Sequence, residues 1–260
     1  MKQLDMMKGA LLLACVLMCG SCINERKVLG VFDSEKISER RAHEGFEKIE
    51  ILGSPTVYYA QADSFSVCVK GPKSIVEDII TEVEGSTLKI RNRGKIGIFN
   101  FTVEDDDETA VYVTSPDLIR VQLNGSGDFI STGRIDTDHA SFVLRGSGDI
   151  DVEDVICDDC DVQLVGSGDF DIGRLDAKEV AVSLTGSGDM EMNLWNVATT
   201  SLALKGSGDI KTVFMDGCKQ VDCELHGSGD IKLSGEVAHF NHHKVGSGDI
   251  DTSGLSVTPN

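Results

Sequence analysis

Seven Gly-Ser-Gly-Asp tetrads carry the residues of this chain best placed to act together. They begin at Gly125, Gly146, Gly166, Gly186, Gly206, Gly227 and Gly246, at intervals of 19 to 21 residues. Their carboxylates, on Asp128, Asp149, Asp169, Asp189, Asp209, Asp230 and Asp249, supply the hard oxygen ligands that suit Ca²⁺. Cys157-Asp158-Asp159-Cys160 has the spacing of a dithiol redox motif or of half a zinc site. No second Cys-x-x-Cys completes such a zinc site, so a local disulfide or plain packing is expected there. His239, His242 and His243, with His226 just upstream, place imidazoles close enough in sequence to invite Zn²⁺. The run Glu104–Glu108 is five consecutive acids, expected at the solvated tip of a hairpin between residues 98–103 and 110–113.

The spacing says what must position these groups. Counting back from each first tetrad glycine, the positions six, four and two before it are apolar or small in six successive copies. They read Ile119/Val121/Leu123, Ala140/Phe142/Leu144, Cys160/Val162/Leu164, Val180/Val182/Leu184, Thr200/Leu202/Leu204 and Val221/Cys223/Leu225. Alternation at period two is a strand with one buried face. A second strand leaves the tetrad through Ile150/Val152, Phe170/Ile172, Met190/Met192 and Ile231/Leu233, with Asp151, Asp171, Glu191 and Lys232 facing out. A third apolar contribution is expected from Ile135, Ile156, Leu175, Met215 and Val237. About twenty residues holding two or three short strands make one coil of an all-β solenoid, a parallel β-helix, with no room for helices.

Stacking explains the tetrad. Each coil turns the same corner, where two glycines around Ser126 and its counterparts permit positive φ and close backbone approach. Serines and aspartates then form columns, and their oxygens can accept hydrogen bonds from corner N–H groups that the sheet leaves unpaired. Carboxylates one strand spacing apart repel by only roughly 0.9 kcal/mol in water, so the column needs no ion. Corner hydrogen bonding without Ca²⁺ is therefore the expectation.

Residues 45–115 lack the tetrad yet alternate at Phe46/Ile49/Ile51, Val57/Tyr59, Phe65/Val67/Val69 and Leu88/Ile90, strands that start the same solenoid. Ser74-Ile75-Val76-Glu77 has capping-box spacing for a short helix. Ile79–Glu84 reads equally well as a strand pairing with Thr87–Ile90 across Gly85-Ser86, and either element would cover the open end of the stack. The last coil, 227–245, is polar as a terminal cap should be, which is the competing reading of its histidines.

The chain opens as an export signal: Lys2 and Lys8, an apolar stretch from Gly9 to Met18, then Gly20-Ser21-Cys22. That ending resembles a lipoprotein cleavage site, with residues 1–21 removed and Cys22 lipidated. Cleavage at the alternative Cys15 would leave too short an apolar stretch. Residues 22–44 read as a charged tether, 45–115 as the beginning of the solenoid, and 116–260 as its tetrad-bearing continuation within one domain. Of the remaining cysteines, Cys68, Cys157, Cys160, Cys218 and Cys223 are odd in number and form no complete disulfide framework. The formal charge of −19 becomes −20 after cleavage, which repels nucleic acid. The lone Trp195 follows Met190, Met192 and Leu194 and is expected in the core, with a surface contact patch as the other reading.

The repeated GSGD[I/F/M], the x-V-x-L strands before it, and the upstream F-x-x-I-x-I-L-G, V-x-V-x-G and L-x-I segments resemble the auto-transporter adhesin head domain of bacterial lipoproteins, the GIN or DUF2807 family. The resemblance covers residues 45–255. It implies a right-handed β-helical head on an exported, tethered protein of the cell envelope, at the outer membrane on a face left open. It brings no catalytic residues or ligand with it. A non-enzymatic module binding glycan or protein through its repeated surface is the leading expectation, with self-association open. A polysaccharide-active β-helix enzyme and a passive envelope scaffold are the alternatives.

Overall fold

The computed structural model describes residues 35–94 and 109–258. The signal segment, Cys22, the start of the tether and the run Glu104–Glu108 lie outside the described residues. The fold is a β-solenoid of about seven turns with ~20-residue coils, and like positions of successive coils pair in parallel.

Two ladders form it. The strands entering the tetrads are β8 (Arg120–Gly125), β10 (His139–Gly146), β12 (Asp159–Gly166), β14 (Glu179–Gly186) and β16 (Thr199–Gly206). The second halves of β17 (Ile210–Gly227) and β18 (Ile231–Gly246) continue this ladder. The strands leaving the tetrads are β9 (Asp128–Asp136), β11 (Asp149–Ile156), β13 (Phe170–Asp176) and β15 (Met190–Trp195). They are followed by the first halves of β17 and β18 and by β19 (Ile250–Val257). Register is strict: Leu144 pairs with Leu164, Leu164 with Leu184, Leu184 with Leu204, and Leu204 with Leu225. All five leucines are fully buried, and each such side chain stabilises the fold by about 1.5–3 kcal/mol relative to an exposed one. One continuous core cluster runs from Phe46 to Val237.

The third apolar column differs from expectation by one residue. Val155 and Phe214 are buried beside Ile135 and Leu175, while Ile156 is half-buried and Met215 is half-exposed. The register shift between Val152 and Asp154 marks where β11 bends, whereas Phe214 simply continues the alternation of Ile210 and Thr212. A bend reverses the inward parity that simple alternation would continue. Val237 is buried in a different column, paired with Cys218. Likewise Leu118, rather than Ile119, is fully buried where the first tetrad strand begins.

The chain before the tetrads builds the other end out of sequence order. β2 (Lys48–Gly53) and β3 (Thr56–Gln61) lie directly against β8 and β9. The chain then turns outward through β4 (Ser66–Pro72), helix α1 (Lys73–Val76), β5 (Ile79–Glu84) and β6 (Thr87–Asn92), and returns in β7 (Ala110–Ser115). β6 pairs in parallel with β2, and β7 with β3, so these two strands form the outermost coil. β5 and β4 lie antiparallel against that coil and close the stack. The strand reading of Ile79–Glu84 is the one realised. The helix is a single turn entered from Pro72 with no side-chain cap, so the capping-box spacing at Ser74 has no structural counterpart. Residues 36–41, expected within the tether, form strand β1 (Lys36–Arg41), antiparallel to β4, with Ile37 packed on the core.

Candidate functional site

The tetrad corner is a backbone device with carboxylates attached. The first tetrad glycine has positive φ in every copy, for example +144° at Gly166, a region that disfavours any side chain. Its carbonyl accepts two N–H groups from the next coil: Ser187 and Gly188 donate to Gly166, and Ser207 and Gly208 to Gly186, at 2.9 and 3.2–3.3 Å. The second glycine is buried in all seven copies, while the serine between is exposed. A Cβ on Gly168 would fall on the carbonyl oxygen of Gly148, because the backbones of adjacent coils touch there.

The aspartates complete the corner. Asp149 Oδ1 accepts the N–H of Asp169 at 2.9 Å, Asp169 that of Asp189 at 3.1 Å, and Asp189 that of Asp209 at 3.0 Å. Asp209 and Asp230 accept from Asp230 and Asp249 at 2.8 and 2.7 Å. At the other end of the column Asp128 accepts from the Thr56 hydroxyl at 3.1 Å. The serine hydroxyls make no such bonds among the described residues; the serines serve through their N–H groups. Among the described residues no cluster of three or more His, Cys, Asp or Glu side chains is arranged to hold a metal ion. Asp169→Ala should therefore cost about 1–2 kcal/mol in chemical denaturation, from the lost acceptor. Asp169→Asn, which keeps an oxygen there, should cost less, and calcium chelation should leave the melting temperature of the unmodified chain unchanged. A large chelation effect would instead make the ladder an ion site.

Beside this ladder, outward residues of the second strand form their own column: Asp151, Asp171, Glu191, Lys211, Lys232 and Asp251. Lys211 Nζ lies 2.5 Å from Glu191 Oε1. Shielding from water, reinforced by Asp151 and Glu191, raises the Asp171 carboxyl above its ordinary range. A shallow groove of about 450 Å³ runs between the two columns, lined by Asp189, Glu191, Asp209, Lys211, Asp230 and Lys232 among others.

The histidines do not converge. His242 stands in register with Cys223 on the core side and stacks on Phe240, with ring centroids 5.2 Å apart. His239 and His243 pair with Gln220 and Glu224 and alternate with it onto the opposite face. His226 bonds to Glu224 at 2.7 Å and meets the edge of His243. With Lys244 in register with Leu225, the last coil places polar side chains over the end of the apolar columns. Trp195 is half-buried outside the core, and the Arg174 guanidinium lies over its ring at 4.7 Å. Leu194 faces in, so its neighbour must face out.

None of Cys68, Cys157, Cys160, Cys218 and Cys223 forms a disulfide, and all five are buried. Burial and the Asp222 charge push the Cys223 thiol up to about 12. Burial likewise raises Cys218, whose sulfur donates to the Gln220 carbonyl at 3.2 Å.

The column has one further member, which lacks the full Gly-Ser-Gly-Asp sequence. Gly53 pairs with Gly125, and its carbonyl accepts the N–H groups of Ser126 and Gly127. Gly53-Ser54-Pro55-Thr56 is thus a degenerate eighth tetrad. Its signal was present in Ile49/Ile51 before it and Val57/Tyr59 after it.

A packed solenoid with a glycine corner repeated in register, carrying its variable chemistry on the outside, defines a repeat-built β-solenoid protein. The chain belongs to the DUF2807 family, described as "Putative auto-transporter adhesin, head GIN domain", which matches residues 45–216 and 199–258. Among solved structures it resembles a "putative adhesin" from Bacteroides fragilis, with 23% identity, a TM-score of 0.74, and coverage of 84% of this chain and 97% of that one. A "putative lipid binding protein" from Parabacteroides distasonis is similar at 23% identity and a TM-score of 0.68, over 84% of this chain and 96% of that one. A "putative adhesin" from the same organism aligns at 16% identity with a TM-score of 0.64, over 84% and 97% of the two chains. At these identities the likeness is one of fold. No functionally curated protein matches this chain.

Proposed function

We propose that the protein is a non-enzymatic binding module of the cell envelope that presents its repeated outer surface to glycan or protein. In this reading residues 1–21 are an export signal, and a lipid on Cys22 holds the head at the outer membrane. The observation that carries the proposal is the register of outward side chains, which sets equivalent shallow positions one coil apart along both ladders. Such an array suits a repetitive ligand, because each added contact raises avidity without any single deep pocket. A catalytic centre needs unlike groups converging at one point. The tetrad column instead repeats one carboxylate per coil, as Asp169 over Asp149. The core columns are packed solid, so a lipid ligand of the kind named for the Parabacteroides relative would have to lie outside them.

Deleting residues 167–186 removes one period and joins Gly166 to Ser187 in register. The shortened head should fold and bind glycan or envelope-protein arrays more weakly, and deletion of a second period should weaken binding again. If removal of one particular coil abolishes binding while removal of any other is harmless, the distributed surface is wrong and a single local site is right. Protease treatment of intact cells would then show which membrane face carries the head.

A further inference from the structure

We infer that Cys157 and Cys160 are a dithiol site that closes into a disulfide across the Asp158-Asp159 corner between β11 and β12. Both side chains point into the same core cluster from the two ends of that corner, Cys157 with 8% of its surface exposed and Cys160 with 1%. Only Asp158 and Asp159 separate the two in sequence, and the nearby Cys157 side chain together with burial pushes the Cys160 thiol well above its ordinary range. No other described cysteine is a competing partner. Cys218 occupies the Cys157 column but three coils further along, beyond Ala177 and Val197, and Cys223 pairs with Leu202 two positions past the counterpart of Cys160. Cys68 lies in β4, at the far end of the stack.

The neighbouring coil shows that thiols are not needed for packing here. Ala177 and Val180 stand where Cys157 and Cys160 stand, and they are equally buried. The chemistry is thiol–disulfide exchange with a small-molecule or protein disulfide as oxidant. Cys157, the more exposed of the two, attacks one sulfur of the donor disulfide, forming a mixed disulfide and expelling the other half as a thiol. Cys160 then attacks the Cys157 sulfur and releases the second half. The two cysteines lose two electrons and two protons, and the donor disulfide becomes two thiols.

The test uses the full exported chain, alkylated under acid quench and read by mass spectrometry, with glutathione disulfide as the oxidant in vitro. Trypsin leaves both cysteines on the peptide 146–174. We expect that peptide to be lighter by two hydrogens and to accept two alkyl groups only after reduction. C157A/C160V, copied from the next coil, should fold, lack the shift, and lose the melting-temperature difference between oxidised and reduced protein. C160V alone should stall as a glutathione adduct on Cys157. Two alkyl groups on the unreduced wild-type peptide, a persistent adduct on wild-type Cys157, or a cross-link to any other cysteine would each overturn the assignment. None of these outcomes depends on whether the outer surface binds glycan or protein.

Discussion

Gly168→Ala is expected to destabilise the head by about 3 kcal/mol or more, a large effect for one methyl group. The added Cβ would occupy the position of the Gly148 carbonyl oxygen, and the obstruction is backbone, so no side chain can swing away. Relief requires the two coils to separate, which breaks the bond that the Ser167 N–H donates to the Gly146 carbonyl at 2.9 Å. Gly133→Ala is the control, because a Cβ there meets nothing within 4 Å and the cost comes only from its φ of +105°. That cost should be about 1–2 kcal/mol. Urea midpoints of the two variants distinguish backbone contact from backbone conformation, and equal losses would contradict the close packing of corners.

Phe170→Ala should cost about 3–5 kcal/mol. Phe170 is 1% exposed and meets Phe142 of the opposite ladder edge to face, with centroids 6.0 Å apart, so its removal opens a void between the two ladders. Phe170→Met reproduces the residue found one coil later, at Met190 in the same register, and should lose less than about 1.5 kcal/mol. Calorimetric melting of the pair measures how far the columns are interchangeable between coils. If methionine were as damaging as alanine, the coils would be individually tailored and not equivalent.

The columns that these variants probe were legible in the sequence because stacking puts like on like. Leu144, Leu164 and Leu184 announce a shared buried line by their fixed distance from the tetrad, and period-two alternation supplies the inward face. The same rule failed where β11 bends: Ile156 continues the alternation of Ile150 and Val152 on paper, but Val155 is the buried residue, whereas Phe214 and not Met215 follows the alternation of Ile210 and Thr212. A bend changes parity without leaving a distinctive residue type. Trp195 misled for a different reason. Its size and the apolar residues around it suggested the core, yet alternation from Met190, Met192 and Leu194 already assigned it outside. Strand β1 was hidden by its charge, since Lys36, Glu39, Arg40 and Arg41 look like spacer, and only its pairing with β4 gives the segment structure.

At the corner itself, residue types predicted the hydrogen-bonded aspartates, because a carboxylate beside a sharp turn readily finds an unpaired N–H. The division of labour between serine and aspartate was not readable, since both side chains carry acceptors and only the geometry selects one. The degenerate copy at Gly53 keeps two of the four residues, and its Thr56 lies 72 residues before its counterpart Asp128. The chain folds the outermost coil in that interval, so sequence order and spatial order part company there.

Spin labels on the exposed tetrad serines measure the winding directly. With the native cysteines replaced, pairs anchored at Ser126 and extended in turn to Ser167, Ser187, Ser207 and Ser228 should give distances that lengthen by about 4.8 Å per coil. A linear series ending near 24 Å at Ser228 is the predicted result. Distances unrelated to the number of intervening tetrads would contradict a stacked, in-register solenoid.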